Sequence, residues 1–259
     1  MLTGKSIAII GGTSGIGLAS ALAFKKNGAE VVVSGKSGSA RVAQQILGKG
    51  TPIVEGDAIN PSFSKETIEL CVTQFGKVDG LYHVAGGSGR SFGDGPLHDL
   101  TLEGWQKTFE LNLTSLMLSN QAAVKQFLKQ DSGGSILNIS SVLGYSPAPQ
   151  HFATHAYAAA KSAVIGFSKS IASFYASHNI RVNVIAPALV DTPMATRAIG
   201  NEEIQSYIKS KQPLDGGRVS TPNDLTGLAC YFMSDQSKFT TGQVVAVDGG
   251  WSLTDGQLS

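Results

Sequence analysis

The run ILNISSVLGYSPAPQHFATHAYAAAK, Ile136 to Lys161, decides how the rest of the chain is read. Ile136–Ile139 is an apolar run of strand length, Ser140 and Ser141 follow it, and after a loop a helical pattern carries Tyr157 and Lys161. Residues four apart share one face of a helix, so Lys161 stands beside Tyr157. A neighbouring ammonium favours the phenolate. An unperturbed tyrosine titrates at about 10, too high for a base near neutrality. Lys161, helped by a cationic cofactor, would lower that value toward the working pH. Ser141 would then hydrogen-bond the oxygen that gains or loses the proton. The same spacing also suits an amphipathic helix with a snorkelling lysine, and serines after a strand also cap and turn. The choice rests with what surrounds the run.

Working outward, Ser6–Ile10 is an apolar strand that runs into GGTSGIG, Gly11 to Gly17, and a helical pattern from Leu18 to Lys26 that stops at Asn27-Gly28. Strand, glycine loop and helix are the parts of a dinucleotide phosphate site: the glycines admit the pyrophosphate, and the helix start offers N–H groups and a positive dipole end. The spacing is Gly-x-x-x-Gly-x-Gly (Gly11, Gly15, Gly17), and a tight turn would use the same glycines. Further strands are expected at Glu30–Ser34, Pro52–Glu55, Asp79–Val84, Ile180–Ile185 and Gln243–Val247. Helices are expected at Ser39–Leu47, Pro61–Phe75, Leu102–Gln130 and Pro222–Met233. Asn112, apolar on both sides, is either a satisfied core amide or a backbone irregularity with a purpose. Ala195–Lys211 reads as polar and irregular, a candidate lid. Seven strand-like runs alternate with helices, without repeats or linkers. That order predicts an α/β fold with a doubly wound, seven-stranded parallel sheet, helices on both faces, and one domain over 1–259. Ligands then sit at the carboxyl ends of the strands, where Gly11–Gly17, Gly35, Asp57, Ala85–Gly87, Ser140–Ser141 and Pro187 fall.

Composition narrows the setting. Net charge is +1, hydrophobic residues make up 42%, and no basic or acidic run appears, so neither nucleic acid nor a membrane surface is an expected partner. Cys71 and Cys230 sit in apolar helical patterns and read as buried reduced thiols, with no cysteine–histidine spacing for a metal. The short apolar run at the amino terminus reads as a first strand rather than a signal peptide. A reducing, cytoplasmic setting follows.

Together these residues resemble the short-chain dehydrogenase/reductase family over nearly the whole chain. The match comprises GGTSGIG, Asp57, AGG at Ala85–Gly87, Asn112, NISS at Asn138–Ser141, YAAAK at Tyr157–Lys161, PALVDTPM at Pro187–Met194 and Asp248-Gly249-Gly250. The resemblance implies hydride transfer between a nicotinamide cofactor and a carbinol or carbonyl carbon. Tyr157 would donate or accept the proton, Lys161 would lower its pKa and hold the nicotinamide ribose, Ser141 would orient the substrate oxygen, and Asn112 would anchor a relay water. The implied cofactor residues are Gly11, Thr13, Ser14, Gly15, Ile16, Gly17, Lys36, Asp57, Ala58, Ala85, Gly86, Tyr157, Lys161, Pro187, Val190 and Thr192, the last at the carboxamide. Gly35 stands where NAD enzymes of this fold carry an acid, and Lys36 can meet a ribose 2′-phosphate, so NADP is expected, with NAD possible. The chain departs from the family pattern at four places. Ile10 replaces a threonine, with loss of a bond tying strands. His83-Val84 replaces an asparagine pair, Pro187-Ala188 replaces Pro-Gly, and a longer segment separates Ser141 from Tyr157.

The expected partner is a small alcohol or ketone, with Phe92, Tyr145, Phe152, Met194 and Ile199 as candidate lining residues. The long segment, with His151, Phe152 and His155, lines that site or is an exposed insertion. A non-catalytic sensor that keeps the fold is the competing class, against which Tyr157 and Lys161 speak. An enoyl reductase would place its tyrosine and lysine further apart. Phe239, Trp251 and Leu253 read as exposed, and the family habit implies a homo-oligomer, a dimer or tetramer.

Overall fold

The computed structural model describes residues 1–256, so positions 257–259 of the expected domain lie outside the described residues. Seven strands form one parallel sheet: β1 Ser6–Ile10, β2 Glu30–Gly35, β3 Ile53–Glu55, β4 Gly80–His83, β5 Gly134–Ile139, β6 Ile180–Pro187 and β7 Val244–Val247. Their spatial order is β3-β2-β1-β4-β5-β6-β7. The sheet reverses between β1 and β4, which run in register from Ile7 opposite Gly80 to Ile10 opposite His83. Crevices at such switch points, beyond the strand carboxyl ends, are where this architecture holds ligands.

Alternate side chains of each strand go to opposite faces, and both faces are covered. On one, Ile7, Ile9, Val31, Val33 and Leu137 pack with Phe24 of helix α1 (Gly15–Lys26) and with Phe232 of the last helix, Asn223–Met233. On the other, Ala8, Ile10, Val32, Leu81 and Ile136 meet Phe63 and Cys71 of α3 (Pro61–Phe75) and Phe127 of α5 (Ser115–Gln130). Between α1 and α3 lies α2, Ser37–Leu47, and α4 spans Leu102–Phe109. Double burial is why the strands read as unbroken apolar runs. Among the described residues no helix is long and apolar enough to cross a membrane.

Three expectations need correction. The helix expected over Leu102–Gln130 is interrupted by a π-helical turn, Glu110–Thr114, centred on Asn112. Ala195–Lys211 is not irregular: α7 (Thr196–Ile199) and α8 (Glu202–Lys211) follow α6 (His155–Tyr175) in the helix series. Ala198 of α7 and Ile204 and Ile208, four apart on α8, are buried against Trp251. Trp251, expected to be exposed, is itself only 1% accessible, whereas Phe239 and Leu253 do face solvent.

The departures from the family pattern are absorbed locally. The Ile10 side chain joins the core, and main-chain bonds from Val84 and Ala85 to the Ile10 carbonyl tie β1 to β4. His83 is buried and pairs through Nδ1 with Ser119 Oγ at 2.8 Å. Burial, then the nearby Lys161 charge, push its imidazole down to about 3, so it is neutral. Ala188 has no left-handed backbone, so β6 needs no glycine there.

Candidate active site

The carboxyl ends of β1, β4, β5 and β6 surround two adjoining cavities that share Ile16, Val84, Gly86, Thr192 and Met194. The inner one, of about 420 Å³, is lined by Asn112, Ser141, Tyr157 and Lys161 as well as Pro187 and Val190. The outer one, of about 280 Å³, is lined by Gly11, Thr13, Ser14, Gly15, Lys36, Asp57, Ala58 and Ala85. Every expected site residue thus reaches this double cavity except Gly17, which lies beneath the loop.

Gly17 is needed for a close approach: a Cβ there would lie 2.1 Å from the Gly11 carbonyl oxygen. This packing sets the glycine loop directly on the start of α1, whose N-cap Ser14 makes no side-chain cap and whose first turn holds no acid. Its first N–H groups are left to whatever enters the outer cavity, as a pyrophosphate requires. Lys36 reaches Asp57 at 3.6 Å, both largely exposed, and Asp57 also accepts from Ile59 N at 3.2 Å. At Gly35 a Cβ would lie 2.0 Å from Thr13 Oγ1, which pairs with Ser39 Oγ at 2.6 Å. The residues present therefore fit a dinucleotide, and an acid at position 35 would have to displace Thr13.

Strand β5 is fastened to α6 beside Ser141 and Tyr157. Ser140 Oγ donates to the Lys161 carbonyl at 2.7 Å, and Lys161 Nζ donates to the Ile139 carbonyl at 3.1 Å. Lys161 Nζ stands 5.5 Å from the centre of the Tyr157 ring. A Cβ on Gly86 would sit 2.8 Å from Asn112 Oδ1 and 3.4 Å from Lys161 Nζ, so both groups face that backbone. Asn112 resolves its two readings as both. Its Nδ2 donates to the Gly87 and Thr108 carbonyls at 2.8 and 2.9 Å, and Oδ1 accepts from Gly87 N at 3.2 Å. Only Oδ1 keeps a lone pair for a water.

In the chain alone, burial dominates the electrostatics of both groups. Burial pushes the Tyr157 phenol up to about 12, and the only opposing influence is its side-chain hydrogen bond with Ser141. Burial also lowers the Lys161 ammonium to about 8. A lysine this desolvated does not by itself bring the tyrosine down, because the cost of burying charge outweighs their attraction.

Several residues at the site escape sequence reasoning. Buried Asp94, from the glycine-rich loop, accepts from Ala156 N and Tyr157 N, both at 3.0 Å, and so holds the start of α6. A carboxylate at a helix start is favoured by the dipole, but a partner 62 positions away leaves no local signal. Among the candidate lining residues, Phe152 and Met194 reach the inner cavity, while Phe92, Tyr145 and Ile199 do not. The long segment is a wall, not a loose insertion: Phe152 stacks edge-on to Trp251 at 5.7 Å, and Trp251 Nε1 donates to Ser146 O at 3.2 Å.

A family model described as Enoyl-(Acyl carrier protein) reductase matches residues 11–252. A 2,5-dichloro-2,5-cyclohexadiene-1,4-diol dehydrogenase of Sphingobium indicum is 32% identical over 97% of this chain and 98% of its own length. The 3-oxoacyl-[acyl-carrier-protein] reductase FabG of Thermotoga maritima is 34% identical over 96% and 98%. A short-chain type dehydrogenase/reductase from Mycobacterium ulcerans superposes with a TM-score of 0.88 at 28% identity, covering 98% of this chain and 91% of that one. With its sheet order and the Ser141–Tyr157–Lys161 cavity, the chain belongs to the short-chain dehydrogenase/reductase family, NAD(P)-dependent oxidoreductases that act on alcohol and carbonyl substrates.

Proposed function

We propose that the chain prefers NADP and interconverts a small secondary alcohol and its ketone in the inner cavity, with Tyr157 as general acid and base. The observation that carries this reading is the convergence of Ser141, Tyr157 and Lys161 on one cavity that opens into the glycine-loop groove. A bound nicotinamide dinucleotide supplies the hydride donor or acceptor and, when oxidised, a positive ring beside the tyrosine. In reduction, Tyr157 Oη gives its proton to the carbonyl oxygen, and in oxidation it takes the carbinol proton. Ser141 Oγ orients that oxygen. Lys161, anchored on Ile139 O, faces the ribose position and relays the proton between Tyr157 Oη and a water held at Asn112 Oδ1, inward after reduction and outward after oxidation. The apolar wall of Phe152, Leu143 and Trp251 excludes water from the reacting oxygen.

The preference for NADP is supported by Lys36 at the outer cavity and by Thr13, which leaves position 35 no room for a carboxylate. A symmetric homo-oligomer is part of this reading, supported by exposed Phe174, Leu214, Phe239 and Leu253. So is a cytoplasmic setting, supported by buried free thiols at Cys71 and Cys230.

The test is Tyr157→Phe, which keeps the ring and removes the hydroxyl. Turnover of an alcohol or ketone panel is expected to fall at least about a hundredfold, with cofactor binding by fluorescence titration unchanged. Retained turnover refutes the role of Tyr157, and cofactor binding without turnover of any panel member by the wild type refutes the reading as a whole.

A further inference from the structure

Two arginines from separate elements meet at the inner cavity. Arg90, in the short 3-10 segment Arg90–Phe92, and Arg197, on α7, both line it together with Ser141 and Tyr157. Both donate through Nη2 to one acceptor, the carbonyl oxygen of His151, at 3.2 and 3.1 Å. Arg197 also lies over the Phe152 ring at 6.0 Å. Neither guanidinium forms a salt bridge among the described residues. The nearest acid acting on Arg90 is Asp94, but each of its oxygens already accepts from the start of α6.

A single carbonyl dipole does not neutralise two guanidinium charges, and Arg90 is also partly buried. Burial and then Arg197 lower the Arg90 pKa, with Asp94 opposing. The cavity wall around them is largely apolar, with Leu143, Phe152 and Trp251. Arg90 is half-buried against that wall and Arg197 stands at its exposed rim, so their positive potential projects into the space where substrate enters. Planar guanidinium forks match carboxylates bidentately. From this geometry we propose that the substrate carries a carboxylate, which Arg90 and Arg197 hold while its ketone or carbinol carbon lies at Tyr157. This inference rests on the oxidoreductase reading above and names its substrate class: an oxo acid and the corresponding hydroxy acid. The carbonyl of His151, in the long segment before α6, then keeps the two forks together.

The test compares wild type, Arg197→Gln and Arg90→Gln. Benzoylformate, benzoylacetate and benzoylpropionate, which set the carboxylate progressively further from the ketone, are each assayed against the matching methyl ester. The wild type is expected to use at least one acid with kcat/KM about tenfold or more above its ester, the scale of one charge-assisted hydrogen bond. Arg197→Gln is expected to erase that preference through KM, with an unchanged urea-unfolding midpoint as the sign of an intact fold. Binding is read separately from turnover: benzoate is expected to raise the melting temperature of the wild type more than benzamide does, and not that of Arg197→Gln. Esters used as well as every acid, a preference that survives both substitutions, or equal shifts with benzoate and benzamide would overturn the carboxylate assignment and leave the oxidoreductase reading standing. Failure to turn over any acid, ester or neutral ketone while NADPH binds would instead overturn both.

Discussion

Replacing Lys161 by methionine is expected to stabilise the free protein near neutrality while abolishing turnover, and the effect is calculable from its burial. Lys161 is 3% exposed, and its ammonium titrates at about 8 instead of 10.5 because burial disfavours charge. The folded value lies below the unfolded one, so the ammonium opposes folding most fully below about 8. That opposition fades as pH rises from there through 10.5. At about 1.4 kcal/mol per unit, the penalty is about 3 kcal/mol at about pH 7 and about 1 kcal/mol at about pH 10. Methionine fills the same volume without the charge but loses the bond to the Ile139 carbonyl, worth about 1 to 3 kcal/mol. The variant is therefore expected to equal or exceed the wild type by up to about 2 kcal/mol at about pH 7, and to fall below it at about pH 10. The swing of about 2 to 3 kcal/mol between the two conditions is the signature. Urea unfolding of both proteins without cofactor measures it, and Cys71, pushed up to about 12 by burial, titrates in both and cancels in the difference. A stability difference that does not change with pH would show that Lys161 is not held as a strained charge.

Three further outcomes follow from the same geometry. Asp94→Asn presents an amide N–H to a main-chain donor at the start of α6, so stability is expected to fall by about 1 to 3 kcal/mol, with kcat reduced more than cofactor affinity; an unchanged urea midpoint would refute the capping role. Lys36→Ala is expected to lower kcat/KM with NADPH about tenfold, one charged contact's worth, and to leave NADH use unaltered. Equal or better use of NADH by the wild type would overturn the cofactor preference. Light scattering at micromolar concentration is expected to give a dimer or tetramer, and a monomer would rule the assembly out.

The strand–glycine–helix start, the alternation of seven strands with helices and the pairing of Tyr157 with Lys161 were all legible in the sequence. Each is a local property: apolar runs, a glycine cluster and a four-residue spacing express backbone geometry within a few residues. Read together in order, they were enough for the sheet, the family and the residues that meet at the cavity. Reading polarity alone misjudged Ala195–Lys211, because two short helices need only Ala198, Ile204 and Ile208 to be buried. It misjudged Trp251, whose burial depends on the long segment folding over it. It could not weigh the charge balance without cofactor, since how far Tyr157 and Lys161 are desolvated depends on everything packed around them. Only the tertiary structure placed Asp94 at the start of α6 and brought Arg90 and Arg197 to the His151 carbonyl. Polar partners across such distances are chosen by which loops the sheet order gathers at one end, and that gathering is a property of the assembled fold rather than of any stretch of chain.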